Sequence, residues 1–165
     1  MIKPLSEMLA KAEKGGYAIG AFNTSNLEIT LAIARAAAKL KAPIIIQTSE
    51  SAIKYSNTTV IYNLIKNVAE TVARKVPVAI HLDHGQDLSI IKECIKVGYN
   101  SVHIDASEKD FATNVRLSKK VRQLAKKSHV SVQSELGSIL GKEGLVRLEK
   151  GEINMEELML SAPDV

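Results

Sequence analysis

Short apolar runs alternate with longer amphipathic stretches along most of the chain. The first sixteen residues are amphipathic and end at Gly15-Gly16, a helix-stop signal. Ala18 to Phe22 (AIGAF) then reads as a strand. Ser25 to Leu40 is Ala-rich and amphipathic, with Ser25 three residues before Glu28, the spacing of a capping box. Pro43 to Gln47 (PIIIQ) is a β-branched strand opened by proline, and Thr58 to Lys75 a second long helix. Val76 to Asp83 (VPVAIHLD) is a third strand, followed by a helix from Leu88 to Val97 with Gly98 at its end. Ser101 to Asp105 (SVHID) is a fourth strand, Phe111 to Lys127 a basic helix, and Val130 to Glu135 (VSVQSE) a fifth strand. After Glu135 the rhythm breaks. Leu136 to Glu152 carries four glycines and mixed charges and reads as a long loop, with a short helix expected over Asn154 to Leu160.

Strand midpoints fall roughly 25–35 residues apart, the period of βαβ units, which build parallel sheets. Two architectures compete: a five-stranded doubly wound sheet, or part of a (β/α)8 barrel, which normally needs about 250 residues. A doubly wound sheet lies under helices on both faces, so its strands read as near-continuous apolar runs. The second strand does. The later ones alternate: Ile80 and Leu82 with His81 and Asp83, Val102 and Ile104 with Ser101, His103 and Asp105, and Val130 and Val132 with Ser131, Gln133 and Glu135. One apolar and one polar face on successive strands predicts a barrel with helices outside and a polar interior.

Composition narrows the function classes. The chain has 165 residues, 45% of them apolar and 24% charged, which suits one soluble globular domain. The net charge of +4 is spread over many segments, aromatics are 4% and Trp is absent, so a nucleic-acid stripe with stacking aromatics is not expected. A single cysteine, Cys94, excludes an internal disulfide framework. No apolar run approaches the ~20 residues of a membrane helix, and the N-terminus is too polar for a signal peptide, so a cytoplasmic protein without membrane contact is expected.

The candidate chemistry sits where the strands end. Asn23, Gln47-Thr48-Ser49, Asp83-His84, Asp105 and Ser134-Glu135 all fall at carboxyl ends, the side on which parallel α/β folds bind ligands. Two carboxylates near a histidine suit a divalent metal and proton transfer. Blander roles compete. Asp83 can cap the helix beginning near Asp87, His84 can be a surface loop residue, and Asp105 can cap a strand end. Glu135 resists such a reading, because an inward glutamate is costly without a partner. His81 and His103 read as satisfied interior histidines, His129 as structural, Cys94 as packing, and the basic face of Arg116 to Lys127 as solvated. No glycine-rich nucleotide fingerprint occurs.

Five segments carry a resemblance: GAFNTSNLE (Gly20 to Glu28), IIIQTSESAIKY (Ile44 to Tyr55), VPVAIHLDHG (Val76 to Gly85), GYNSVHIDAS (Gly98 to Ser107) and VSVQSELG (Val130 to Gly137). In order and spacing they resemble the amino-terminal part of class II, metal-dependent fructose-1,6-bisphosphate aldolases. The resemblance implies an α/β (β/α)8 TIM barrel, here incomplete, with residues 1–165 as a single partial domain holding the first five βα units and strands 6–8 absent. It implies a zinc-dependent lyase that reversibly cleaves fructose 1,6-bisphosphate to dihydroxyacetone phosphate and glyceraldehyde 3-phosphate. His84 is then similar to the first protein ligand of the catalytic Zn²⁺, and Asp83 to the residue that moves the proton at the aldehyde oxygen. Asp105 and Glu135 resemble the carboxylates of a second divalent-metal position. Ser49 resembles a contact to the glyceraldehyde-3-phosphate half and Asn23 a polar residue lining the substrate site. The implied partners are sugar bisphosphates and triose phosphates, with a homo-oligomer, dimer or tetramer.

The chain also departs from that pattern. His103 stands where methionine is usual, Glu108 follows the IDAS segment, Gln133-Ser134 replaces Glu-Ala, and Leu140 to Gly144 (LGKEG) replaces a Gly-Gly-x-Glu-Asp element. The family's two further histidine ligands and its phosphate-holding loops come from later strands, so the 165 residues alone are expected to bind metal weakly and to lack turnover. Two alternatives stand beside this reading. Tagatose 1,6-bisphosphate is the close substrate alternative, differing at one stereocentre. A non-catalytic half-barrel that pairs with another chain is the alternative of a different class, because an open sheet exposes a strand edge.

Overall fold

The computed structural model describes residues 1–137. The expected loop over Leu136 to Glu152 lies outside these residues from position 138 onward, as do the helix expected over Asn154 to Leu160 and the LGKEG element.

Five strands, β1 (Gly20–Asn23), β2 (Ile44–Ser49), β3 (Val78–Gly85), β4 (Ser101–Ile104) and β5 (Ser131–Ser134), form one sheet. All pair in parallel, and their spatial order is their chain order. A doubly wound sheet reverses its strand order at a switch point. The absence of a reversal among these strands marks them as consecutive staves of a barrel wall. The described residues therefore show five consecutive strands of the expected (β/α)8 wall.

Helices α1 (Leu5–Gly15), α2 (Leu27–Leu40), α3 (Glu50–Ser56), α4 (Thr58–Thr71), α5 (Leu88–Val97) and α6 (Phe111–Lys126) separate the strands. Their ends follow local side-chain chemistry. The cap of α2 is Asn26 and not Ser25: Asn26 is extended and accepts from Ile29 N at 2.9 Å. Asparagine and serine cap about equally well, so neighbouring contacts decide. Here the hydroxyl of Thr30 bonds the Asn26 carbonyl at 2.7 Å and Thr24 Oγ1 at 2.8 Å, which fixes the turn one residue later than the capping box predicts. The seven residues of α3 were not expected, and β2 continues to Ser49 rather than Gln47. Asn57, at φ 73°, breaks the path between α3 and α4 and caps the latter through Thr59 N. The left-handed Gly98 closes α5, as its position predicts.

Two apolar regions account for the packing. On the outer face, Ile44, Ile46, Val78, Ile80, Leu82, Val102 and Ile104 pack under helix residues such as Ile61, Ile65, Ile91 and Val121. Each such side chain contributes roughly 1.5–3 kcal/mol on burial. On the inner face, Ile45 and Ala79 meet Leu5 and Met8 of α1, which closes the amino-terminal end of the wall. The inner face turns polar toward the opposite end, where His81, Ser101 and His103 are buried. The expectation of one polar interior face is met, and that face leads to the rim where the candidate residues lie.

Candidate metal and active site

The rim owes its shape to an irregularity in β3. Leu82 pairs with Val102, but Ile104 pairs with Gly85, so β3 carries one more residue than β4 over this stretch. A bulge of this kind kinks a strand and re-aims its side chains. His84 takes the left-handed conformation, φ 48°, within it. Regular strand geometry would send Asp83 and His84 to opposite faces. Here Asp83, His84 and His103 each bring a potential metal-binding atom to within 4.8 Å of the others. The glycine that follows, Gly85, permits the close approach: a Cβ there would stand 2.7 Å from the His103 carbonyl oxygen and 2.8 Å from Leu82 Cδ2.

His84 joins the two remaining carboxylates. Its Nδ1 lies 2.8 Å from Asp105 Oδ2 and 3.7 Å from Glu135 Oε2, and the three side chains form a second group of donor atoms within 4.8 Å. Partial burial opposes a charge on His84. The hydrogen bond to Asp105 and the charges of Asp83, Asp105 and Glu135 outweigh it, and the His84 pKa is raised. Burial likewise opposes the Asp105 charge, but hydrogen bonds from Ser107 and His84 hold its carboxyl below the ordinary value. Ser107 donates from both its hydroxyl, 2.6 Å, and its backbone N–H, 3.1 Å, to Asp105 Oδ1. Oδ1 is thus anchored while Oδ2 faces His84.

Asp83 is not a helix cap, since Asp87 caps α5 through Ser89 N at 2.7 Å. Its Oδ2 instead accepts from Asn23 Nδ2 at 2.8 Å, and Asn23 Oδ1 accepts from Gln47 Nε2 at 2.7 Å. Three strands therefore share one amide–carboxylate chain. Ser49 lies opposite Asp83 in the strand register, and its hydroxyl caps α3 and bonds Ser51 at 2.8 Å. Asn23 and Ser49 both line a cavity of about 450 Å³ that also includes Ser25, Ser51 and Tyr55.

Sequence reasoning missed two participants. Glu50, at the start of α3, accepts at Oε1 from Gln86 N at 2.7 Å and Asp87 N at 2.6 Å. It pins the turn that follows His84. His103 is the second. The expectation of a satisfied interior histidine holds for His81, whose Nδ1 meets Ser101 Oγ at 2.8 Å, and fails for His103. His103 is buried, yet neither ring nitrogen has a hydrogen-bond partner among the described residues. A sequence shows that His103 alternates inward, but not what faces it across two strands.

The strand order, the rim and the bulged Asp-His pair can be set beside known proteins. The family described as "Fructose-bisphosphate aldolase class-II" matches residues 3–164. This chain belongs to the class II fructose-bisphosphate aldolase family. Among relatives of this aldolase segment, a fructose-bisphosphate aldolase of Streptococcus pneumoniae serotype 4 is 47% identical over 143 residues, covering 86% of this chain and 48% of that protein. One from Thermus caldophilus is 41% identical over 144 residues, covering 87% of this chain and 46% of that protein. The crystal structure of the YdjI aldolase from Escherichia coli K12 superposes with a TM-score of 0.77 at 30% identity, over 83% of this chain and 51% of that one. A putative fructose-1,6-bisphosphate aldolase from Coccidioides immitis gives 0.77 at 28% identity, over 86% of this chain and 49% of its own. The chain spans about half the length of the curated relatives it matches.

Proposed function

We propose that the protein is a class II aldolase that cleaves fructose 1,6-bisphosphate into dihydroxyacetone phosphate and glyceraldehyde 3-phosphate, and forms it in reverse. The observation that carries this reading is the bulge that lets consecutive residues, Asp83 and His84, serve one rim together with Asp105 and Glu135. The donor set suits a divalent ion of the zinc type, which accepts both imidazole nitrogen and carboxylate oxygen. Two sets of donor atoms, one from Asp83, His84 and His103 and one from His84, Asp105 and Glu135, each lie within 4.8 Å of one another, which supports a cation at the rim. His84 would hold the catalytic Zn²⁺, and Asp105 and Glu135 a second divalent position. When bound, the ion supplies Lewis-acid polarisation of the substrate ketone.

The remaining work falls to this chain's own side chains. Asp83 accepts the proton of the hydroxyl on the carbon that becomes the aldehyde, and returns it to that oxygen in the condensation direction. Asn23 keeps the acting carboxylate aimed without adding a titrating group. Ser49 and the cavity beside it would receive the glyceraldehyde-3-phosphate half. Glu50 holds the turn behind His84 and thereby the orientation of the imidazole. The partners are small sugar phosphates, and the working form is a cytoplasmic homo-oligomer.

The test is a coupled cleavage assay of the full-length protein on fructose 1,6-bisphosphate and tagatose 1,6-bisphosphate, before and after chelation. The expected result is faster cleavage of the fructose sugar, lost on chelation and restored by Zn²⁺. Cleavage that survives chelation contradicts the metal-dependent reading. Equal or faster turnover of the tagatose sugar contradicts the substrate assignment.

A further inference from the structure

The core-facing stripe of α6 changes character at its first turn. Asn114, Ser118, Val121 and Ala125 recur at the spacing of one helix face, with Ser118 half-buried and the other three buried. The end of that face nearest the rim is therefore polar. Asn114 is 4% exposed, and among the described residues it is the one buried side-chain amide. A buried amide is costly unless its polar atoms find partners. Asn114 Oδ1 accepts from Ser118 Oγ at 3.2 Å, and Asn114 Nδ2 donates to the Glu135 backbone carbonyl at 2.8 Å.

Glu135 is the rim residue that gains most from such a hold. The β4–β5 ladder ends with Ile104 opposite Ser134, so Glu135 lies one residue past the last strand pair. Its carboxylate still stands at the rim, with Oε2 3.7 Å from His84 Nδ1. A glutamate side chain is long and turns through several rotamers, so the reach of its carboxylate depends on where the backbone is fixed. Asn114 grips that backbone from a rigid base. Its own N–H bonds the Asp110 carbonyl at 2.9 Å, and Asp110 caps α6 through Thr113 N at 2.9 Å. Asp105 is placed by the same connection, because Ser107, which anchors its Oδ1, lies in the turn leading into α6. Both rim carboxylates are thus referenced to the start of one helix.

We propose that Asn114 is a positioning residue that acts through Glu135, holding its backbone so that the carboxylate stays aimed at His84 and Asp105. The inference rests on the metal reading of the rim and adds the residue that preorganises it. Groups that orient metal ligands are worth about 10–100-fold in metal affinity. Asn114 bonds the backbone of Glu135 and not its carboxylate, which places its effect at about 10-fold.

The experiment is a double-mutant cycle on the full-length protein, stripped of metal, with Zn²⁺ affinity read by competition with a chromophoric chelator. The variants are Asn114→Leu, Glu135→Gln and the two combined. Leucine keeps the shape of the buried side chain and removes its donor. Asn114→Leu is expected to weaken Zn²⁺ binding about 10-fold, and Glu135→Gln at least as much. The combined variant is expected to match Glu135→Gln alone, because a residue that acts through Glu135 has nothing left to position. Asn114→Leu weakening Zn²⁺ binding by the same factor in both backgrounds would mark a general structural role and overturn the inference. Unchanged affinity in Asn114→Leu, with Glu135→Gln weakened, also overturns it and leaves the rim reading standing. Unchanged affinity in Glu135→Gln overturns the inference together with the place of Glu135 in the rim. Asn114→Ala, which empties the site instead of filling it, is held to the same outcomes where the leucine variant does not fold.

Discussion

Asn23 Nδ2 donates to Asp83 Oδ2 at 2.8 Å, joining the end of β1 to the end of β3 across the intervening β2. Gln47, on β2, completes the chain by donating to the other end of the same amide at 2.7 Å. The amide turns its NH₂ group, which can only donate, toward the carboxylate, and its oxygen toward Gln47. Asp83 is therefore oriented by a neutral partner.

Replacing Asp83 by alanine tests its role. A group that moves a proton only as the carbon–carbon bond breaks contributes in the transition state. Turnover of the full-length enzyme should fall roughly 10²–10⁴-fold while KM changes little. Steady-state kinetics on fructose 1,6-bisphosphate measures both, and a loss within about threefold would reject the assignment.

Glu50 acts at one remove from the chemistry. Its carboxylate receives two backbone N–H groups of the turn after His84, at 2.7 and 2.6 Å. Glu50→Ala should lower stability by about 1 kcal/mol through the loss of two hydrogen bonds whose exposed donors turn to water instead. Glu50→Gln retains a side-chain oxygen and should recover most of the loss. Urea denaturation of the two variants separates these outcomes, and equal stability of Glu50→Ala and parent would show that the turn needs no anchor.

Acid should weaken the fold through His81. Burial, partly offset by the charge of Asp83, lowers its pKa from 6.5 to about 4. The folded protein therefore favours neutral His81, and the unfolded chain binds the extra proton first. The contribution is fully present above pH 6.5, declines as the pH falls through the interval down to about 4, and is absent below it. The difference amounts to about 3 kcal/mol at most. The His81→Gln variant should show a shallower loss of stability between neutral pH and the acid end of that window. Identical pH slopes for variant and parent would contradict the assignment.

Cys94 should be chemically silent. It is fully buried on α5, and burial pushes its thiol up to about 12, with the charges of Glu93 and Glu50 acting in the same direction. The thiolate is the reactive form, so alkylation at mildly alkaline pH should be negligible in the folded protein and rapid in denaturant. Mass spectrometry after a timed iodoacetamide pulse reads the difference. Rapid labelling of the native protein would show that α5 opens readily.

β3 and β4 were legible because each keeps one apolar side: Ile80 and Leu82, Val102 and Ile104 all pack under helices as their alternation predicts. The same alternation favoured the barrel, and the sequential strand order bears it out. The carboxyl-end residues Asn23, Asp83, His84, Asp105 and Glu135 do converge, as strand-end placement suggests. What periodicity could not supply was register. Nothing in the alternation reveals that β3 gains a residue at Asp83-His84 and runs on to Gly85, two residues past its expected end at Asp83. A seven-residue helix such as α3 is too short to declare a period, so the anchoring by Glu50 was hidden with it. The condition of His103 depends on side chains from two other strands and could not be read along one.

The account stands on a divalent metal at the rim formed by His84, Asp105 and Glu135. Anomalous diffraction from crystals of the full-length protein grown with Zn²⁺, recorded on both sides of the zinc edge, tests it most directly. The predicted result is an anomalous peak within coordination distance of His84, with Asp105 or Glu135 oxygens close by, that vanishes below the edge. A fully ordered rim with no peak, or a zinc ion bound only elsewhere in the protein, would contradict it.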